Sequence, residues 1–352
     1  MRSVRRLRGS KSWRMSKGWC AIILLTLFCC SLDKVDQSVT FKINGASLVS
    51  PPREIPEERF QALNDINSNW VAVIPYAFSR GHNPKITFNS SRQWWGERTD
   101  GSCTLVSCAQ RHDLKVLLKP HVWVMGDGWP GEYDLETEAE WREWEITYAN
   151  YIMTYAHIAD SMGVDMLAIG TEFRIPAVER EAYWRGLIRR VKQVYKGKLT
   201  YAANWDNYHK VTFWDQLDYI GVDAYFPINN ADTPSVEELE KGWEPLYKEL
   251  KAFSKKYQKP MLFTEYGYQS VNGAAGEHWN IDKSHQSINM KTQANAYQAL
   301  FNTFWKEDWF AGGFFWKWHL TENRGGPSNG DFTPQGKTAA QVIAQHYGSH
   351  QD

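Results

Sequence analysis

Glu172 and Glu265 each close a short apolar run, Met166-Leu-Ala-Ile-Gly-Thr-Glu172 and Met261-Leu-Phe-Thr-Glu265, and each is followed directly by an aromatic residue. A carboxylate is rarely placed behind such a run, because desolvation opposes its ionised form. The same strand-to-Glu pattern, met twice in one chain, predicts two carboxyl groups facing one cleft. Two carboxyls whose surroundings separate their pKa values are the chemistry of glycoside hydrolysis, one delivering a proton while the other acts as an anion. The competing reading, two purely structural carboxylates, requires buried cationic partners for both.

Such a pair has to be positioned by elements that bring distant segments to one rim. Eight apolar runs suit strands: Phe41–Val49, Trp70–Phe78, Lys115–Val124, Met166–Phe173, Leu199–Trp205, Leu217–Phe226, Pro260–Tyr266 and Ala311–Trp318. Between them lie amphipathic helical segments, among them Pro56–Asn67, Thr137–Met162, Val178–Tyr195, Ser235–Tyr257, Met290–Trp305 and Thr338–His346. In the second of these, Trp141, Trp144, Tyr148, Ile152 and Tyr155 recur at helical spacing. Near-continuous apolar strands alternating with helices predict a parallel sheet covered by helices, and the count of eight predicts an α/β fold of the (β/α)8 TIM-barrel type in a single domain.

In that architecture the strand C-termini and the loops after them build the reacting face. Reading those ends adds Tyr76, His121, Asn204, Trp205, Asp223, Tyr225, Tyr268 and Trp316 to the two glutamates as candidate substrate-binding residues. Asp223 could equally brace a loop. A phenol such as Tyr225 donating to Glu265 would stabilise that anion, while the apolar strand and Phe173 would raise the pKa of Glu172.

The 352 residues suffice for one large domain with a full core. Its 18 Trp, 17 Tyr and 16 Phe exceed what helix-periodic core positions account for, and aromatic faces stack on the apolar faces of sugar rings. The first thirty residues differ in kind. Arg2, Arg5, Arg6, Arg8, Lys11, Arg14 and Lys17 precede the apolar segment Cys20-Ala-Ile-Ile-Leu-Leu-Thr-Leu-Phe-Cys-Cys30, the n-region and h-region of an export signal. Domain boundaries are therefore expected at 1–30 for a signal, 31–40 for a tether and 41–348 for the catalytic domain, in an exported protein with a possible lipid anchor at Cys30. Without the leader, 33 basic residues face 40 acidic ones, a formal charge near −7 that argues against nucleic acid as a partner. Cys103 and Cys108, five apart on one helix, would point away from each other and are expected as two separate small buried thiols.

No Gly-x-Gly-x-x-Gly or Walker loop follows any strand, so no nucleotide cofactor is implied. A metal hydrolase built on His121, His209 and His319 lacks both a His-x-His on the first strand and a His-Glu-x-x-His, so no metal is expected.

Several segments carry a resemblance to a known family. Ile169-Gly-Thr-Glu172, Leu199-Thr-Tyr-Ala-Ala-Asn-Trp205, Phe213-Trp-Asp-Gln-Leu-Asp-Tyr-Ile-Gly-Val-Asp-Ala-Tyr225, Phe263-Thr-Glu-Tyr-Gly-Tyr268 and Phe315-Trp316 resemble glycoside hydrolase family 113, over about residues 41–346. The wider clan consists of retaining (β/α)8 enzymes with the acid/base on strand four and the nucleophile on strand seven, and characterised members of the family act on β-1,4-mannan. The resemblance implies Glu172 as acid/base, Glu265 as nucleophile, Trp316 as a sugar platform and a β-linked polysaccharide or oligosaccharide as the partner. Retaining pairs stand about 5–5.5 Å apart and inverting pairs about 6.5–9.5 Å, so the short spacing is expected. One departure is that many clan members have Asn immediately before the acid/base, whereas this chain has Thr171.

Overall fold

The computed structural model describes residues 41–80, 83–126, 129–277 and 287–349. The expected signal, tether and Cys30 anchor lie outside these residues.

Eight strands close into a parallel barrel in which each pairs with its sequence neighbours: β1 (Ile43–Val49), β2 (Trp70–Val73), β3 (Lys115–Leu118), β4 (Met166–Thr171), β5 (Lys198–Asn204), β6 (Ile220–Asp223), β7 (Met261–Tyr266) and β8 (Phe310–His319). Every residue of β2, β4, β6 and β7 is buried, because the barrel interior covers one face and the helices the other. Alternate side chains divide accordingly. Trp70, Ala72, Leu117, Met166, Ala168, Leu262 and Phe314 fill the barrel, while Val71, Val73, Val116, Leu167 and Phe263 face the helical layer. The Phe314 ring lies so close to Gly45 that a Cβ there would stand 2.3 Å from it, which fixes glycine at that barrel position.

The helical layer follows the sequence pattern closely. Helix Glu138–Ser161 starts at a reciprocal cap, in which the Thr137 hydroxyl accepts from the Glu140 amide and Glu140 accepts from the Thr137 amide. Its periodic face of Trp141, Trp144, Tyr148, Ile152 and Tyr155 is buried throughout. Ser235 and Glu238 repeat that cap at helix Val236–Tyr257. Two expected helices break into shorter pieces: Pro56–Asn67 is the pair of turns Glu57–Phe60 and Gln61–Asn64, and Val178–Tyr195 is Arg174–Glu179 followed by Glu181–Val194.

Two expected strands also divide. Pro75 and Pro120 each lack the N–H that a ladder needs, so β2 and β3 stop at Val73 and Leu118. The chain then continues as Tyr76–Arg80 and His121–Met125, which leave the barrel and pair with each other in a small sheet completed by Thr87–Phe88. Cys103 and Cys108 are both free thiols on helix Thr99–Arg111; Cys108 is buried and Cys103 half-buried.

Candidate active site

Glu172 is the first residue past β4 and takes a left-handed backbone, φ 55°, a conformation that costs a residue with a Cβ about 1–2 kcal/mol. Its amide is tied to the Ala202 carbonyl of β5 at 2.8 Å, and its Oε2 accepts from the indole Nε1 of Trp129 at 3.1 Å. The Arg174 guanidinium lies over the Trp129 ring at 5.5 Å and pairs with Asp206 at 3.0 Å. The Asn204 amide at the end of β5 donates to the same Asp206 at 2.8 Å. Together with Trp205 and Tyr225 these groups line a cleft of about 630 Å³ that opens on Glu172. Burial, then the charges of Asp223 and Glu265, push the Glu172 carboxyl up to about 8, with Trp129 and Lys119 only partly opposing them.

Glu265, within β7, has quite different neighbours. Its Oε1 accepts from Lys119 Nζ at 2.6 Å and its Oε2 from the Tyr225 hydroxyl at 2.7 Å. Lys119 is wholly buried and also reaches both oxygens of Asp223, at 3.0 and 3.2 Å. Burial opposes the ammonium charge, but the two carboxylates outweigh it and raise its pKa. Burial, then the charge of Asp223, push the Glu265 carboxyl up to about 7, below Glu172, because Lys119 and the Tyr225 hydrogen bond oppose the rise.

The three groups Lys119, Asp223 and Glu265 thus hold two negative charges against one positive charge in a buried pocket. A third carboxylate charge close by is strongly disfavoured. Of the two glutamates Glu172 is the one favoured to hold a proton, since among the described residues its hydrogen bond comes from a neutral indole whereas Glu265 has a cation and a phenol. A buried cation is present for Glu265, and its charge is shared with Asp223.

The aromatic residues around Glu265 form a wall. His121 Nε2 lies 3.5 Å from Glu265 Oε1 and makes no hydrogen bond among the described residues. Burial and the Lys119 charge hold the imidazole well below its usual pKa, so it is neutral. Tyr76 meets the His121 ring edge-on at 5.3 Å, and the Trp316 ring, at the end of β8, lies parallel to it at 6.4 Å.

Two candidates fall elsewhere. Tyr268 shares the outward parity of Tyr266, opposite to Glu265, and packs edge-on against Tyr297 of helix Met290–Phe304 at 5.5 Å. It belongs to the layer between barrel and helix. Asp223 is fully buried, with its oxygens occupied by Lys119 and the Thr264 hydroxyl, so it braces Lys119 rather than meeting a sugar. Thr171 contributes a buried hydroxyl with no hydrogen-bond partner among the described residues. Lys119 was legible by the same desolvation rule that singled out the glutamates, since it follows Val116-Leu-Leu118; Trp129, Arg174 and Asp206 carry no periodic signal at all.

Comparison with known proteins agrees with this geometry. The profile of Glycoside Hydrolase Family 113 matches residues 51–337. Among solved structures, the family 113 β-mannanase AaManA of Alicyclobacillus acidocaldarius, in complex with ManMIm, is 26% identical at a TM-score of 0.78, covering 89% of this chain and 99% of its own. A second family 113 β-1,4-mannanase is 28% identical at a TM-score of 0.75, covering 88% and 99%. A β-glucuronidase of Faecalibacterium prausnitzii shares the fold alone, at 16% identity and a TM-score of 0.59 over 88% of this chain and 49% of its own. Comparison with curated proteins gives no significant match. With a closed eight-stranded barrel, a half-buried Glu172 after its fourth strand, a buried Glu265 near the end of its seventh and a family profile spanning most of its length, the chain belongs to glycoside hydrolase family 113 and is a glycoside hydrolase.

Proposed function

We propose that the enzyme cleaves β-1,4-linked mannan or mannooligosaccharides with retention of anomeric configuration, Glu265 acting as nucleophile and Glu172 as acid/base. The observation that carries this reading is the asymmetry of the two carboxyls: Lys119 and Tyr225 stabilise the anion of Glu265, while burial and neighbouring negative charge keep the proton on Glu172. In the first step a Glu265 oxygen attacks the anomeric carbon as the Glu172 proton passes to the glycosidic oxygen, and the leaving sugar departs. In the second, Glu172, now ionised, takes a proton from the incoming water, whose oxygen displaces Glu265 from the anomeric carbon. Trp316, His121 and Tyr76 line the space for the sugar bonded to Glu265. Asn204 and Trp205 border the cleft beside Glu172, on the side of the departing sugar.

Mannose as the sugar is supported by the family and by the β-1,4-mannanase relatives. The expected result is faster hydrolysis of β-1,4-mannooligosaccharides than of cello-oligosaccharides of equal length, with the first-formed product in the β configuration by NMR. A preference for the glucose series rejects the substrate, and a first-formed α product rejects the double displacement.

A further inference from the structure

The paired strands Tyr76–Arg80 and His121–Met125 carry side chains that the chemistry above does not use. Tyr76, Phe78 and Arg80 stand opposite His121, Trp123 and Met125 in register. The intervening Ala77, Ser79, Val122 and Val124 are buried, so the first six share the outer face of a two-stranded ribbon. That face begins at the reacting groups, where His121 lies 3.5 Å from Glu265. From there, same-face positions step outward by about 7 Å each, a length comparable to one hexose ring. Trp123 is 59% exposed and Met125 45%, although both belong to a hydrogen-bonded strand. Large apolar side chains exposed in a row signal a ligand surface.

A neighbouring loop borders part of this strip. Gln93 Nε2 donates to the Tyr76 carbonyl at 2.8 Å and ties its loop to the ribbon. The loop brings Arg92 and Trp94 to a cavity of about 720 Å³ that Phe78, Arg80, Met125, Lys85 and Glu97 also line, next to the strip position of Trp123 rather than around it. The indole of Trp94 is half exposed there. Aromatic faces between guanidinium donors suit a sugar, which presents C–H faces and hydroxyl acceptors together. The two glutamates give the strip a direction. Glu172 meets the oxygen of the departing half, so the cleft holding Trp129 and Trp205 receives that half, whereas the ribbon leads away from Glu265.

We propose that this ribbon is a binding track for the glycan residues on the non-reducing side of the cleaved bond, with Trp123 as a stacking platform and Arg80 and Arg92 as donors to hydroxyls. The inference rests on the glycosidase mechanism and mannan substrate proposed above. Its test compares kcat/KM on mannooligosaccharides of increasing length with kcat/KM on an aryl β-mannoside carrying one sugar. In Trp123→Ala the ratio of the longest oligosaccharide to the aryl mannoside is expected to fall about tenfold, through KM, and Trp123→Phe to recover most of it. An unchanged ratio, or an equal loss on both substrates, overturns the track and leaves the mechanism standing. Failure of the unmodified enzyme to hydrolyse any mannooligosaccharide rejects the substrate assignment and the track together.

Discussion

Glu265→Ala is expected to lower turnover by about 10⁴-fold or more on every substrate, since in the proposed mechanism no covalent glycosyl intermediate forms without Glu265. Glu172→Ala is expected to divide substrates instead. Those with poor leaving groups lose about 10²–10⁴-fold, the usual contribution of a positioned acid, while those with good leaving groups keep a fast first step and accumulate glycosyl-enzyme. Added azide then separates the two residues by stereochemistry. In Glu172→Ala it attacks the α-linked intermediate and yields a β-glycosyl azide, whereas in Glu265→Ala it enters directly from the vacated side and yields the α-anomer. Azide products of exchanged configuration would reverse the assignment, and rescue of neither variant would remove both residues from the reaction.

The second large effect is expected at Lys119. Lys119→Met keeps most of the side-chain volume but leaves Asp223 and Glu265 facing each other without a cation in a buried pocket. One of them must then hold a proton, and the ionised fraction of Glu265 at neutral pH falls. The expected outcome is a loss of about 10²-fold or more in kcat/KM near pH 7, with the acid limb of the pH profile displaced upward because Glu265 now ionises only at higher pH. Breaking a buried ion pair also costs about 3–5 kcal/mol of stability, so a second variant guards the interpretation. Lys119→Met with Asp223→Asn returns the pocket to its original excess of one negative charge, and should recover stability together with part of the lost activity. A Lys119→Met profile of unshifted acid limb would mean that Lys119 merely fills space.

The barrel was legible in the sequence because a strand covered on both faces must be apolar almost throughout, and eight such runs leave few alternatives. The glutamates were legible for the opposite reason, as charges placed where desolvation penalises them. Reading failed where a single residue changes direction without changing hydropathy. Pro75 and Pro120 sit inside runs that remain apolar as far as Phe78 and Val124, so the departure of the ribbon from the barrel leaves no trace in the pattern. Tyr268 failed on parity: two residues beyond Tyr266, it keeps the same outward face, and an aromatic residue near a strand end looks alike on either face. Trp129 comes from a loop whose reach to Glu172 depends on tertiary geometry, which no local spacing encodes.

The raised pKa of Glu172 has a consequence for folding that is separate from catalysis. A group that binds its proton more tightly in the native chain than in the unfolded one stabilises the fold while it stays protonated. For Glu172 that contribution is complete below about pH 4.5, the ordinary value for the side chain, and is lost as pH rises through about 8. The residue that withholds a proton for the reaction therefore makes the native state progressively less favoured toward alkaline pH, a thermodynamic tension between keeping the acid ready and keeping the barrel closed. Glu172→Gln, which has nothing to ionise, is free of this tension, and thermal midpoints of the two proteins should diverge as the pH is raised.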